Sequence, residues 1–260
     1  MTQFSANLGF LWSDLPLPDA IRAAAKAGFA AVECHWPCSF DAAEVKAALQ
    51  DTGLPMLGLN TARGDVAGGE NGLSALPGLE ADARAAIDEA AAYAEAVAAG
   101  AIHVMAGFAT GPEAHATFIA NLQYACDRAA NRTILIEPLN RHDAPGYFLD
   151  TTDQARSIIA EAARPNLKLM FDCYHVGRTE GDLTTRVAAL QPVIGHIQFA
   201  SVPDRGAPDH GEVNYAHVFD AIATLGWTKP LGAEYKPTCP VEQTLGWMTE
   251  LSRRRVGSNA

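Results

Sequence analysis

Four acid or amide residues are spaced through the second half of the chain: Glu137 in TILIEPLN, Asp172 in LKLMFDCYH, Gln198 in IGHIQFA and Glu234 in PLGAEYKP. Each follows a short apolar run with the length and branching of a buried strand. A carboxylate there is costly unless it is paired, metal-bound or used in chemistry. The intervals are 35, 26 and 36 residues, the length of one or so strand-plus-helix unit. If such units close into a barrel, all four side chains share one rim and point inward. Carboxylates and an amide oxygen converging there make a hard-cation site. An all-oxygen set argues for Mg2+ or Mn2+ over zinc, which prefers His or Cys. The metal would polarise the carbonyl of a chelating hydroxy-carbonyl substrate and stabilise an enediolate. A carboxylate near the neighbouring carbon would then remove a proton and return it one carbon over. That is aldose–ketose-type isomerisation, and it needs no redox cofactor. The plainer readings are a salt bridge for Glu137 or Glu234, a turn cap for Asp172 and a satisfied amide for Gln198.

The elements that must position these residues alternate along the chain. Strands are predicted at Phe4–Leu8, Ala31–Cys34, Leu54–Leu59, Ile102–Met105, Thr133–Glu137, Leu167–Asp172, Val193–Gln198 and Leu231–Glu234. Helices are predicted over Pro16–Ala27, Asp41–Gln50, Leu79–Ala98, Pro112–Ala130, Thr151–Ala162, Leu183–Leu190, Asn214–Leu225 and Val241–Leu251. Eight of each is the count for an α/β fold of the (β/α)8 TIM barrel type. The rival, a doubly wound open sheet, usually starts with a glycine-rich phosphate turn, and no G-x-G-x-x-G occurs here. No nucleotide cofactor is therefore expected. The glycine-rich loop from Asn60 to Pro77 has no clear period, and loops this long are usually functional or mobile.

Other residues fall where substrate would lie. His175, three after Asp172, reads as a substrate or supporting contact. Lys236 follows Glu234 by two, so both are expected to face inward. Arg205, in the loop VPDRGAPDHGEVN, is a candidate anion clamp, with Glu212 shaping that loop. His103 is placed at the start of the fourth strand as a satisfied inner histidine or a substrate contact. Arg63, Asp65 and Glu70 would belong to a lid in the third loop. Trp12, Trp36 and Trp247 either shape the mouth or fill space. Cys173 should point away from its neighbour Asp172, which argues against a nucleophile.

Composition bounds the remaining classes. At 260 residues one domain is expected, spanning 1–260, with a core at about 2–252 and a flexible tail at 253–260. The net charge of −11 has no basic stripe against it, which disfavours nucleic acid. It leaves room for a small anionic substrate held by a local Arg or Lys. Five scattered cysteines in a chain too long to need staples point to reduced thiols in the cytoplasm. Nothing in MTQFSANLGFLW resembles a signal peptide. The stretch around Ala85 to Ala106 carries Asp88, Glu89 and Glu95; it reads as a helix running into a strand, so no membrane partner is expected.

Taken together, FSANLGFLW, AGFAAVE, GLSALPG, IEPLNRHDAPGYFLDTTDQA, DCYHVGRTEGDL, GHIQFASVPDRGAPDHGEVNY and GAEYKP resemble the hydroxypyruvate isomerase family, within the xylose-isomerase-like barrel superfamily. The resemblance covers about residues 2 to 250. It implies a divalent metal held at Glu137, Asp172, Gln198 and Glu234, with Glu137 and Glu234 as the proton-transfer pair. It implies substrate contacts at His175 and Arg205. It further implies interconversion of hydroxypyruvate and tartronate semialdehyde, and pairing of exposed helices into a homodimer or homotetramer. The family also includes 2-oxo-tetronate isomerases, whose acid substrate is one carbon longer. Gln198 stands where ketose 3-epimerases usually have histidine, and Arg63 in TARGD where relatives often have proline. Less well matched are a ketose 3-epimerase, a non-catalytic small-molecule-binding barrel and a multi-zinc abasic-site endonuclease. The last would need more strand-end histidines and a basic groove.

Overall fold

A computed structural model describes residues 2–252 of the chain. The tail at 253–260, expected to be flexible, lies outside the described residues. Eight strands are present: β1 (Phe4–Asn7), β2 (Ala31–Glu33), β3 (Gly58–Asn60), β4 (Ala101–His103), β5 (Thr133–Ile136), β6 (Leu167–Asp172), β7 (Ile194–Phe199) and β8 (Leu231–Ala233). The helices are α1 (Leu17–Lys26), α2 (Ala42–Thr52), α3 (Glu80–Val97), α4 (Gly111–Arg128), α5 (Thr152–Ala162), α6 (Cys173–Thr179), α7 (Leu183–Leu190), α8 (Tyr215–Thr224) and α9 (Gly246–Ser252). All strand pairs are parallel, in the order β2-β1-β8-β7-β6-β5-β4-β3. The two ends of that order meet through a parallel bridge between Val32 and Met56, with the Leu57 N–H donating to Val32 O at 2.7 Å. The eight-stranded barrel is therefore nearly closed, as a (β/α)8 TIM barrel.

Local sequence explains the elements. Asp41 and Thr151 cap α2 and α5 by accepting from Ala43 N and Gln154 N, and Asn214 accepts from His217 N at the start of α8. The buried face of α3 includes Ala83, Ala86, Ala90, Ala91 and Ala94. Such small side chains let a helix backbone lie close on the sheet. Most of the apolar core lies between sheet and helices, while Ala101, Leu135 and Met170 form a separate cluster. Among the aromatic contacts, Phe4 and Phe199 meet Trp247 at 4.9 and 5.4 Å, so Trp247 fills the core and does not shape a mouth. Trp12 is also buried and donates to Glu242.

The main departure from the sequence reading is α6, which starts on the residue after β6. Seven residues are too few to display a helical period. Its N-cap is Asp172, whose Oδ1 accepts from Tyr174 N at 2.8 Å. No described helix is long and apolar enough to cross a membrane.

Candidate active site

The strands deliver the four residues to the barrel's C-terminal rim. Glu137 follows β5 directly, Asp172 ends β6, Gln198 lies in β7, and Glu234 follows β8. Asp172 is in register with Gln198, and Gln198 with Gly232. All four are buried, none more than 6% exposed. Glu137, Asp172, Glu234 and His175 each offer an atom that could ligate a metal, and these atoms lie within 4.8 Å of one another. His175 Nε2 stands 3.6 Å from Asp172 Oδ2 and 3.8 Å from Glu137 Oε1. His103 Nδ1 stands 3.8 Å from Glu137 Oε2.

The hydrogen-bond inventory of this cluster is incomplete. Glu137 Oε1, Asp172 Oδ2 and Gln198 Oε1 are buried and have no partner. A buried acceptor left unpaired costs about 1–3 kcal/mol, and native structures rarely retain several together without use. Three orphaned oxygens from three adjacent strands fit a hard cation. Asp172 serves twice: one oxygen caps α6 and the other faces the cluster. The buried cluster is able to chelate a divalent metal.

Glu137 and Glu234 sit in opposite electrostatic settings. Burial pushes the Glu137 carboxyl well above the usual range, and the neighbouring Glu234 and Asp172 carboxylates push it further. Asp172 is raised to about 7, by burial first and then by Glu234. Burial alone would raise Glu234 too, but Arg205 and then His35 outweigh it and hold the carboxyl below the ordinary range. Glu234 Oε2 accepts from Arg205. Its Oε1 accepts from Asn7 Nδ2 at 2.8 Å and contacts His35 Nε2 at 3.0 Å. His103 and His175 are each lowered to about 3, chiefly because burial disfavours the imidazolium.

Arg205 lies beside the cluster, with its guanidinium between the rings of Phe10 and Tyr174 at 4.7 and 5.0 Å. Its backbone is left-handed (φ 58°), a conformation that costs a non-glycine residue roughly 1–2 kcal/mol. Burial would lower its basicity, but the carboxylates of Glu234, Asp172 and Glu137 hold it charged.

Two placements, of Lys236 and His103, correct the sequence reading. Lys236 is exposed, because β8 ends at Ala233 and the inward alternation does not extend past Glu234. His103 ends β4 and does not begin it, which puts it on the same rim as Glu137. It is not satisfied either: neither ring nitrogen has a hydrogen-bond partner. Arg63 is half-buried, stacked 4.7 Å over Trp36 and donating to Asn71 at 2.7 Å. In the same loop Asp65 N donates to Glu70 Oε2, so these residues brace one another.

Several contributors escaped the sequence reading. Asn7 and His35 hold Glu234. Glu33 accepts from Gln198 Nε2 at 2.8 Å, contacts His196 Nε2 at 2.9 Å and accepts from Ser5 Oγ at 2.9 Å. Asn140 contacts His175 through both its backbone and its side chain. Asn7 and Glu33 end β1 and β2, so the strand-end criterion used in the second half would have found them.

This architecture has known counterparts. The xylose isomerase-like TIM barrel family matches residues 21–251. The 2-oxo-tetronate isomerase of Cupriavidus necator is 43% identical over 254 residues, covering 95% of this chain and 98% of its own. The hydroxypyruvate isomerase of Escherichia coli is 37% identical over 255 residues, covering 95% and 98%. Among solved structures, AP endonuclease, family 2, from Brucella melitensis superposes with a TM-score of 0.92 at 36% identity, covering 96% of this chain and 99% of that one. The chain belongs to the xylose isomerase-like TIM barrel family, close to its hydroxypyruvate and 2-oxo-tetronate isomerases.

Proposed function

We propose that the protein is a metal-assisted isomerase of small sugar acids whose preferred substrate is the four-carbon 2-oxo-tetronate, with hydroxypyruvate as the shorter alternative. The observation that carries the reaction class is the convergence of Glu137, Asp172 and Glu234, two of which keep a buried, unpartnered oxygen. The carbon count leans on the 43% identity to a 2-oxo-tetronate isomerase, which favours the longer acid over the hydroxypyruvate expected from the resemblance. A net charge of −11 argues against a nucleic-acid partner, and Arg205 beside the cluster is the local cation that a small acid would need.

Glu137, Asp172, Gln198 and Glu234 would hold Mg2+ or Mn2+, since their donors are all oxygen. When bound, the ion would polarise the substrate carbonyl and offset negative charge on the substrate oxygens. The residues do the rest. Glu234, kept ionised by Arg205 and His35, takes a proton from the hydroxyl-bearing carbon, giving an enediolate. Glu137, the second carboxylate of the pair, takes up the proton of the substrate hydroxyl and returns it to the adjacent carbon, while Glu234 passes its proton to the former carbonyl oxygen. Two carboxylates whose environments push their proton affinities apart suit this exchange. Arg205 and His175 lie at the cluster edge, as a cation and an N–H donor for substrate oxygens. The walls of the buried cluster limit water, which strengthens each of these contacts.

Proton NMR in D2O tests the reading, with 2-oxo-tetronate, hydroxypyruvate and D-fructose supplied separately. The expected outcome is isomerisation with deuterium incorporation, fastest for the four-carbon acid. Preference for hydroxypyruvate would replace the substrate and keep the chemistry. Turnover of D-fructose alone would move the assignment to an epimerase.

A further inference from the structure

We propose that Asn140 fixes the tautomer of His175 with the ring proton on Nε2, so that the imidazole works as a hydrogen-bond donor into the cluster and not as a metal ligand. The chain of hydrogen bonds leaves few choices. Asn140 Oδ1 accepts from the backbone N–H groups of His142 and Asp143, each at 3.0 Å. That fixes which end of the amide is oxygen, and Nδ2 is turned the other way. Nδ2 then lies 2.8 Å from His175 Nδ1 and donates to Asp143 Oδ2 at 3.1 Å. The backbone N–H of Asn140 also donates to His175 Nδ1, at 2.9 Å. Two N–H groups converge on one ring nitrogen, so Nδ1 must present its lone pair. A neutral imidazole has one N–H, and it is left at Nε2.

Nε2 is the atom that faces Asp172 Oδ2 and Glu137 Oε1 at 3.6 and 3.8 Å. Ligation through Nε2 would require that proton to leave, whereas a ligating histidine usually donates from its other nitrogen to an acceptor. Here the other nitrogen meets donors. The metal set is therefore the oxygens alone, and His175 aims an N–H at the place where charge grows on a substrate oxygen. Asn140 is a positioning residue: it acts through the ring and touches no reacting atom. This last step rests on the isomerase reading; the tautomer does not.

The test reads the ring directly. In uniformly 15N-labelled protein, ring 15N–1H correlations are recorded with and without Mg2+, using His175→Gln to assign the signals. The expected result is a proton on Nε2 and a bare Nδ1 in both states. A proton on Nδ1, or loss of the Nε2 proton on adding Mg2+, overturns the proposal. By calorimetry, His175→Gln should cost at most the roughly 10–100-fold in Mg2+ affinity typical of a residue that only supports ligands, whereas abolished binding makes His175 a ligand. Asn140→Asp replaces a donor by an acceptor and should draw the proton to Nδ1. Its kcat should fall about 100-fold or more with KM nearly unchanged. Asn140→Ser keeps the backbone donor and should retain the wild-type tautomer and most of the rate. A KM increase alone in Asn140→Asp, with the tautomer unmoved, assigns Asn140 a merely structural part and overturns its role. If Asn140→Asp does not fold, the wild-type ring signals decide. Those signals are read without substrate, so failure of the isomerase assignment stays distinguishable from failure of this one.

Discussion

Two buried polar groups share the barrel, and they are finished differently. Around Glu33, Oε1 accepts from Ser5, while Oε2 accepts from Gln198 Nε2 and contacts His196. Around Glu137 and Asp172, one oxygen of each is left without a partner, as are both ring nitrogens of His103. The barrel can complete such a network, because it does so around Glu33. The incomplete group has the donor atoms to chelate a divalent metal, whereas the complete one holds its neighbours in position. Gln198 joins the two. Its nitrogen donates to Glu33 Oε2 at 2.8 Å and, at 3.4 Å, to Glu234 Oε1 of the open cluster, while its oxygen is buried and unpartnered.

The contrast can be broken from either side. The largest expected effect is on rate: Glu234→Gln and Glu137→Gln should each lower isomerisation by about 10²–10⁴, with circular dichroism unchanged. Near-wild-type turnover in both would remove the proton-transfer pair. Next is stability. Glu33→Ala leaves His196 and Ser5 without their acceptor and Gln198 Nε2 with only its longer bond to Glu234, at 3.4 Å, and should cost about 3–5 kcal/mol in a denaturant melt. In metal-free protein Glu137→Gln should cost nothing or stabilise, since it relieves a buried acid crowded by Glu234 and Asp172. Equal losses in the two variants would erase the distinction.

A third prediction concerns pH. Glu137 and Asp172 hold protons more tightly than ordinary carboxyls, Asp172 up to about 7. A cation must displace those protons. Mn2+ affinity should therefore rise as pH rises from 6 to 8, with proton release detectable by calorimetry in buffers of different ionisation enthalpy. Glu234 is already ionised and contributes no proton. Affinity flat across this range would contradict the assignment of Glu137 and Asp172 as ligands. The smallest effect is steric. A Cβ on Gly232 would collide with Glu33 Oε1 and stand 2.8 Å from Gln198 Cγ. Gly232→Ala should lower stability by about 1–3 kcal/mol and weaken metal binding through Gln198.

Much of this was legible in the sequence because a barrel converts spacing into position. Strand-sized runs ending in Glu137, Asp172, Gln198 and Glu234 were enough to put four side chains on one rim. The strands and most helices were also legible, since alternating apolar runs and alanine-rich windows have distinct periods. What could not be read was who meets whom. His35 touches Glu234 across 199 positions and Asn7 across 227, and no local pattern encodes such contacts. Glu33 was overlooked although it ends β2 as plainly as Asp172 ends β6. Lys236 was misplaced because a period of two holds only while the strand lasts. Asn140 was visible only as part of EPLN; its role depends on the turn that brings its amide back to His175.

The central claim is that the open cluster moves a substrate proton. The most direct measurement is deuterium incorporation into 2-oxo-tetronate in D2O by metal-loaded wild type beside Glu234→Gln, followed by proton NMR. The account predicts steady label uptake with isomerisation in the first and none above background in the second. Label uptake at equal rates in both would contradict it, because the proton would then be moving without the carboxylate that the barrel keeps ionised.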